Sequence, residues 1–335
     1  VEWNLASAKI IRDMFTGRDA KGYVRFKSTE FGADGVNLNR RGGGDTGYHS
    51  RAMKHLIWLA WWGERESRDL YVSWADGWRA ATMSTDHGKP AGLPPASLFW
   101  PSGDFLPPDG KAWWDPDAHY YGFAGLPNMV NESILTAYFF TRERRFLDSF
   151  QTTMETATRG PLQRNDPGGA WSDARWHYHA SHMADTRALM AYRWLTGERV
   201  YDEYALRYAS HMQRYYIDRD LEALTTSLEH LAKALRYNWA MRTSEILQTD
   251  RAGLEGAIDT WCAYTGAVNL VIDSSCPTMS VTWVAPDLDF AALVTETTRQ
   301  RLRVRLYNFS NIPKRLGMRV WNLDFGRYVM NDGAV

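Results

Sequence analysis

The chain has few features of a disulfide-stabilised, membrane-spanning or nucleic-acid-binding protein. Its 335 residues include two cysteines, Cys262 and Cys276, which either pair in an oxidising compartment or remain two buried thiols. It has no run of about eighteen apolar residues, so we expect no transmembrane helix. The formal net charge is zero, so we expect no overall electrostatic attraction to nucleic acid or to a membrane surface.

Lysine is scarce among the basic residues, whereas aromatic residues are abundant. Only 8 of the 39 basic residues are lysine, and 31 are arginine. Arginine binds carboxylates through two hydrogen bonds and stacks on rings, so this ratio favours an anionic partner, although GC-rich coding produces the same ratio. The chain also contains 16 Trp, 17 Tyr and 13 Phe. Doublets such as Trp61-Trp62 and Trp113-Trp114 cannot all point inward from one face, so some rings should be exposed, where they suit sugar faces.

A helical hairpin repeats three times along the chain. Each copy has an apolar helix, a short polar turn with Glu and Arg, and an amphipathic second helix; the turns are WGERESRDL, FTRERRFLD and LTGERVYDE. The pattern predicts helices at about 48–63, 65–83, 128–142, 144–158, 181–196 and 198–214, a less regular pair at roughly 224–242 and 251–264, and an early helix near Ala8 to Phe15. The contrast within each pair indicates inner and outer helical layers.

The character of the sequence changes near residue 275. Long loops rich in Gly, Pro and Trp separate the hairpins at 17–47, 85–127 and 160–180, and loops of this length in a compact domain are usually functional. After Cys276 the segments TMSVTWVAPDL, FAALVTETT, QRLRVRLYNFS, RLGMRVWNL and GRYVM favour short antiparallel strands. We therefore expect a mainly α protein, with a helical domain over 1–275 and a small antiparallel β-sheet domain over 276–335.

Three features together resemble one group of carbohydrate-active enzymes. They are the hairpin turn LTGERVYDEY, the Trp-rich loops and the strand pair LYNFSNIPKRLGMRVW. This combination is similar to the (α/α)-toroid enzymes, which include polysaccharide lyases and several glycoside hydrolases, although no family-diagnostic catalytic motif can be matched. The resemblance implies an (α/α) toroid of helical hairpins, incomplete or truncated before Val1, followed by the β-sheet domain. It also implies a secreted or periplasmic protein, although the first residues, VEWNLASAKIIRDMF, do not have the shape of a signal peptide.

In the toroid enzymes the substrate lies across a rim formed by the loops that lead into the inner helices. Three loops of this chain fit that description: NRRGGGDTGYHSR (39–51), WWDPDAHYYGFAGLPNMVNES (113–133) and WSDARWHYHASHM (171–183). The expected partner is a polysaccharide or oligosaccharide of anionic character. The predicted substrate-binding residues are Arg40, Arg41, Arg51, Trp113, Trp114, Tyr120, Asn128, Asn131, Arg175 and Trp176.

The leading functional hypothesis is a polysaccharide lyase. Such an enzyme must neutralise the uronate carboxylate, remove the C5 proton and protonate the leaving oxygen. Arg or Asn can perform the first task, and Tyr or His the other two. Histidine is favoured because it can accept and return a proton near neutral pH. The predicted acid–base residues are Tyr48, His49, Tyr178 and His179.

Other functions fit the same loops. A glycoside hydrolase would use two carboxylates from among Asp45, Asp115, Asp117, Glu132 and Asp173. The sequence requires no cofactor, but its HxHxxH spacing places His177, His179 and His182 close enough to hold a divalent metal, although this is not a standard zinc motif. A helical-repeat module that binds glycan without chemistry is the third alternative.

Several of these residues also have ordinary structural explanations. Asp45 and Asp185 could cap helices, and Glu132 could be favoured by a helix start. His55, His211 and His230 lie inside predicted helices, where a structural role is the usual one.

Overall fold

The computed structural model describes residues 2–32, 35–37, 44–106, 113, 126–158, 185–238, 257–269, 278–284 and 289–331. Within these residues the protein is mainly α-helical, with small antiparallel sheets. The helices are α1 (Glu2–Ile10), α2 (Lys54–Trp61), α3 (Arg65–Met83), α4 (Leu126–Thr141), α5 (Arg144–Thr158), α6 (Thr186–Thr196), α7 (Asp202–Leu206), α8 (His211–Asp218), α9 (Leu221–Asn238) and α10 (Ala257–Thr265). None of these described helices is both long enough and apolar enough to cross a bilayer.

The described strands all pair as two-stranded antiparallel ribbons. Their pairs are β1–β2, β3–β4, β5–β6, β8–β9 and β7–β10. The strands are β1 (Thr16–Arg18), β2 (Val24–Phe26), β3 (Phe31–Gly32), β4 (Gly35–Val36), β5 (Gly44–Asp45), β6 (Leu98–Phe99), β7 (Val281–Val284), β8 (Phe290–Thr297), β9 (Leu302–Asn308) and β10 (Gly317–Val320).

The predicted helices agree with the structure for α3 and α5 and differ in three places. The early helix, predicted near Ala8 to Phe15, begins at Glu2, and its last turn, Ile11–Phe15, is π-helical. The segment 48–63 begins as a tight helical turn, Gly47–Arg51, before α2 starts at Lys54. The segment 198–214 is divided into α7 and α8 because Ser210 starts a new helix: its hydroxyl accepts from the Gln213 amide, and the Gln213 side chain accepts from the Ser210 amide. The described residues between 128 and 214 contain no strand.

The described residues pack as two units, one of residues 2–195 and one of 196–269 with 278–331. The sequence instead predicts a boundary near residue 275. A two-stranded ribbon cannot bury a face alone, and here α10 covers the β8–β9 ribbon. Phe290, Ala292 and Val294, at alternate positions of β8, are buried. The helices after residue 195 therefore pack with the C-terminal strands.

In the first unit the α2–α3 hairpin forms the centre of the core. The chain turns at Gly63, whose φ of 94° favours glycine, and the Glu64 carboxylate then caps α3 by accepting from the Glu66 and Ser67 amides. Tyr71, Trp74 and Trp78 follow at helical spacing and are fully buried. The α3 helix packs against α2, α4 and α5.

Three β-ribbons lie in segments that the sequence predicts to be loops. The β1–β2 and β3–β4 ribbons fall largely in 17–47, and β5, from the same segment, pairs with β6 from the 85–127 segment. Strand β2 packs on both α3 and β5. These contacts hold the start of the Gly47–Arg51 turn against the aromatic core, so the residues of that turn are placed by the fold and not by a long loop.

Candidate functional site

The Gly47–Arg51 turn carries three of the predicted site residues, Tyr48, His49 and Arg51. It follows directly on strand β5 and packs against helix α4, which carries Asn131 and Glu132. Residues of two of the loops singled out in the sequence, 39–51 and 113–133, therefore adjoin each other in the first unit.

A buried carboxylate, Asp45, anchors this turn. Asp45 is 0% exposed, and its Oδ2 accepts from the Trp74 indole at 2.8 Å and from the Phe26 amide at 3.3 Å. Its Oδ1 lies 2.8 Å from His49 Nδ1. Asp45 is thus the acceptor for three groups on three elements. No described contact makes it a helix cap, so the capping explanation for this residue is wrong.

The neighbours of Nδ1 bear on which nitrogen of His49 carries the proton. Nδ1 faces two groups: the ionised Asp45 carboxylate at 2.8 Å, which can only accept, and the Thr46 amide at 3.1 Å, which can only donate. In the tautomer whose proton is on Nδ1, that nitrogen donates to Asp45. Nε2 then has a lone pair when the ring is neutral. In the described part of the chain, Nε2 has no hydrogen-bond partner. His49 is therefore oriented for proton transfer through Nε2.

Aromatic packing fixes the plane of the same ring. The imidazole stacks on Phe26 with a centroid separation of 4.1 Å and an interplanar angle of 14°, and Phe31 contacts it edge-on at 6.4 Å. The His49 side chain remains 12% exposed, whereas Asp45 is completely enclosed. The ring thus has a fixed direction, a buried partner and one edge that reaches the surface.

A second buried charge lies close to Asp45. Arg25 is 1% exposed, and its Nε donates to Asp19 Oδ2 at 2.9 Å. Burial lowers the pKa of Arg25, and the negative charges of Asp45 and Asp19 oppose that shift. Gly77 makes room for the guanidinium, because a Cβ at that position would overlap it. No motif in the sequence identified Asp19, Arg25 or Gly77 as parts of this network.

Tyr48 and Arg51 form a stacked pair at the surface of the turn. The Arg51 guanidinium carbon lies 5.2 Å from the centroid of the Tyr48 ring. Tyr48 is half-buried and Arg51 is exposed. The turn therefore presents a phenol, an imidazole and a guanidinium within four consecutive positions, which are the three group types that the lyase hypothesis requires.

Helix α4 contributes a buried polar stretch beside the turn. Asn131 is 0% exposed and Glu132 is 2% exposed. Arg187 Nε lies 3.2 Å from Glu132 Oε1 and 3.5 Å from Asp185 Oδ1. Glu132 lies in the second turn of α4 and not at its start, so the helix-start explanation is wrong for it. Asp185 does cap α6, since its Oδ1 accepts from the Arg187 amide at 2.7 Å.

Trp113 is a core side chain and not an open platform for sugar. It is 4% exposed, and its ring centroid lies 5.9 Å from the Lys89 ammonium. Lys89 is itself buried and donates to the carbonyls of Thr82, Pro90 and Leu93 at 2.7–3.0 Å. Burial lowers the pKa of Lys89 to about 7, with Asp86 opposing the shift. The sequence motif HGKP gives no indication of this buried amine.

Many predicted site residues lie outside the described residues and remain predictions: Arg40, Arg41, Trp114, Asp115, Asp117, Tyr120, Asp173, Arg175, Trp176, His177, Tyr178, His179 and His182, together with the side chain of Asn128. In the part of the chain that the structure describes, no group of three or more His, Cys, Asp or Glu side chains could hold a metal ion.

His55 bonds Asn4 Oδ1 through Nδ1 at 2.8 Å, which is the structural role expected for it.

Comparison with known proteins gives no relative for this chain. No family model, no curated protein and no solved structure matches it.

Proposed function

We propose that the protein is a polysaccharide lyase that cleaves a uronate-containing glycan by β-elimination. The observation that carries the proposal is the Asp45–His49 pair, in which a buried carboxylate holds Nδ1 at 2.8 Å. A histidine held in this way has a fixed ring orientation, and in the tautomer that donates to Asp45 it presents the Nε2 lone pair to a substrate.

Each step of the elimination has a group on the turn to perform it. His49 Nε2 removes the C5 proton, and the electron pair of that bond forms the C4=C5 double bond. The C4–O bond breaks, and the Tyr48 hydroxyl protonates the leaving oxygen. The Arg51 guanidinium bonds the uronate carboxylate, which makes the C5 proton more acidic. The proton on His49 and the deprotonated Tyr48 then re-equilibrate with solvent.

The burial of the described carboxylates favours a lyase over a hydrolase. A glycosidase needs one carboxyl group as acid and a second as base or nucleophile, both facing the sugar. Asp45 is enclosed and accepts from three donors, and the Glu132 side chain is 3% exposed and faces Arg187. The remaining hydrolase candidates are Asp115, Asp117 and Asp173.

The packing of the first unit supports the (α/α)-toroid component of the proposal. Consecutive hairpins α2–α3 and α4–α5 contact each other, and α4 is buried from Met129 to Ala137. The partner helix α5 buries one face, including Phe146, Phe150 and Met154 on successive turns. In this second hairpin a buried first helix precedes a half-exposed second helix, as expected of a two-layered ring of hairpins.

The test compares His49→Gln with His55→Gln on a panel of uronate polysaccharides. Both variants replace a partly buried histidine of the first unit, but His55 contacts only Asn4 among the described partners. We expect His49→Gln to reduce kcat by roughly a hundredfold or more, because a positioned acid–base group contributes that much. His55→Gln should keep wild-type turnover. Ultraviolet absorbance reports the new double bond and a reducing-end assay reports chain cleavage.

The two readouts also separate the alternatives. Reducing ends that appear without ultraviolet absorbance would mean hydrolysis and would overturn the lyase proposal. Binding of the glycan without either signal would indicate a binding module. Wild-type turnover in His49→Gln, with thermal melting unchanged, would remove His49 from the mechanism.

A further inference from the structure

The second unit contains a cleft that is lined by arginines. It has a volume of about 530 Å³ and lies between the α8–α9 corner and the β8–β9 ribbon. Its four arginines come from two separate parts of the chain and are Arg219, Arg301, Arg303 and Arg305. Glu296 is the one acidic residue among the described lining residues. The cleft therefore carries three positive charges in excess.

Three of the arginines lie in a row at β9: Arg303 and Arg305 belong to the strand, and Arg301 directly precedes it. Side chains two residues apart along a strand leave the same face at intervals of about 6.8 Å. Arg303 Nε lies 3.3 Å from Glu296 Oε2, and Arg301 Nη1 lies 3.7 Å from Oε1 of the same carboxylate. Arg305 lies opposite Leu293 in the ribbon and has no ion pair among the described residues. One carboxylate thus serves two guanidiniums.

The fourth arginine converges on this row from the other wall. Arg219 ends helix α8 in the left-handed conformation, with φ of 66°, and its Nη1 donates to the Thr295 carbonyl at 2.6 Å. Its guanidinium also lies 5.3 Å from the centroid of the Tyr215 ring. A guanidinium has five donors, and the described contacts use one of them. Arg219 is thus fixed in place while most of its donors remain available.

Edge protection is the competing explanation for the row. Charged side chains on an exposed strand prevent pairing with another chain. That explanation accounts for Arg303 and Arg305 but not for Arg219, which belongs to a helix end and is directed to the same cleft. It also does not account for the apolar lining contributed by Leu221, Leu224 and Leu293. Cations above an apolar floor suit a ligand with both an anionic edge and a carbon face.

We propose that this cleft is an anion-binding subsite that holds a carboxylate- or sulfate-bearing stretch of glycan. The row along β9 matches a ligand whose anionic groups repeat along an extended chain, whereas a single small ion would use only one or two arginines. The identification of the ligand as a glycan rests on the proposed function. The excess positive charge of the cleft is an observation independent of that proposal.

The experiment measures equilibrium binding to the full chain by isothermal titration, with a purified oligogalacturonate as the probe. The double variant Arg303→Gln/Arg305→Gln is compared with Arg315→Gln, an exposed arginine of the same unit that does not line the cleft. We expect about tenfold weaker binding for the double variant and wild-type binding for Arg315→Gln, because two exposed charge contacts are each worth roughly 1 kcal/mol or less. Binding by the wild type should also weaken as salt increases. A neutral cello-oligosaccharide of equal length should bind much more weakly.

Turnover is measured on the same variants, so that failure of the lyase proposal can be distinguished from failure of the subsite proposal. If the double variant loses oligogalacturonate binding while no variant produces ultraviolet absorbance, the subsite stands and the lyase proposal fails. Unchanged affinity in a folded double variant would overturn the subsite, as would salt-independent binding by the wild type. Tighter binding of a single-stranded DNA oligonucleotide, lost in the same variant, would replace the glycan with nucleic acid. Aggregation with unchanged affinity would establish edge protection instead.

Discussion

The two units of the protein use charge in opposite ways. Around the candidate site of the first unit the charges are enclosed: the Asp19 and Asp45 side chains are both 0% exposed, and each accepts several hydrogen bonds. In the second unit the Arg301 and Arg303 side chains are 60% and 66% exposed and share one carboxylate. Enclosed charges fix the direction of a side chain, because every donor and acceptor must be satisfied. Exposed charges in excess attract a partner over a distance, and salt weakens that attraction.

The largest effect that would test this comparison is the loss of a buried carboxylate. Asp19→Ala removes the acceptor of Arg25 Nε and of the Lys21 and Tyr23 amides. We expect the free energy of unfolding to fall by about 3–5 kcal/mol, because a buried guanidinium is left without its partner. Urea unfolding of the wild type and the variant measures this difference in the free energy of unfolding.

Asp69→Ala is the matched control, since the Arg68–Asp69 side chains are 42% and 68% exposed. It should change stability by less than about 1 kcal/mol. Similar losses in the two variants would show that burial does not distinguish the charges of this unit.

The next effect concerns Tyr48, which lies at the boundary between enclosed and exposed groups. Tyr48→Phe removes the hydroxyl but keeps the ring beneath Arg51. If the proposed mechanism holds, kcat should fall roughly a hundredfold, while the melting temperature stays close to that of the wild type. Tyr138→Phe is the control, because Tyr138 is also half-buried and stacks under an arginine, Arg142. Equal turnover in both variants would exclude the Tyr48 hydroxyl as the acid.

The smallest effect comes from Lys89, an enclosed cation without a carboxylate in direct contact among the described residues. Its pKa is about 7 in the folded protein and about 10.5 in the unfolded chain, so the unfolded chain binds more protons between these values. The free energy of unfolding should therefore rise with pH from about 7 to 9, by at most about 1.4 kcal/mol per pH unit. Chemical denaturation at several pH values measures this slope.

Lys89→Met should reduce the slope in that range, because it removes the titrating amine. An unchanged slope in this variant would assign the pH dependence to other groups.

The sequence predicts the helical hairpins well because their signals are local. The apolar run before WGERES and the amphipathic pattern after it both repeat at helical spacing, and α3 has the predicted bounds. The turn containing Tyr48 and His49 is also found from local composition, because polar aromatic and titratable residues concentrate there. Whether the neighbouring rim residues, such as His179, complete the site stays a prediction.

The partners of the buried carboxylates could not be predicted, because some are distant in the sequence and others lie across a ribbon that local pattern does not reveal. Asp45 bonds Trp74 from a separate helix, and Asp19 bonds Arg25 across the β1–β2 ribbon in a segment that the sequence predicts to be a loop. Strands of two or three residues are too short to show an alternating apolar and polar pattern. The sequence therefore predicts a loop over 17–47 where the structure has short strands. The sequence predicts Trp113 to be a substrate-binding ring, yet the structure buries it beside Lys89. The positions of these side chains are determined by strand pairing and by burial against distant elements, which local sequence patterns do not report.

The contact between Gly77 and Arg25 constrains how this sequence can diverge. Because a Cβ at position 77 would overlap the guanidinium, the Arg25 side chain must shift when a larger residue replaces Gly77, and its bond to Asp19 is then disturbed. In a library of variants the three positions should therefore vary together, with single changes less stable than compensated triples. Such linked inheritance would mark true relatives of this protein even where overall identity is too low to detect.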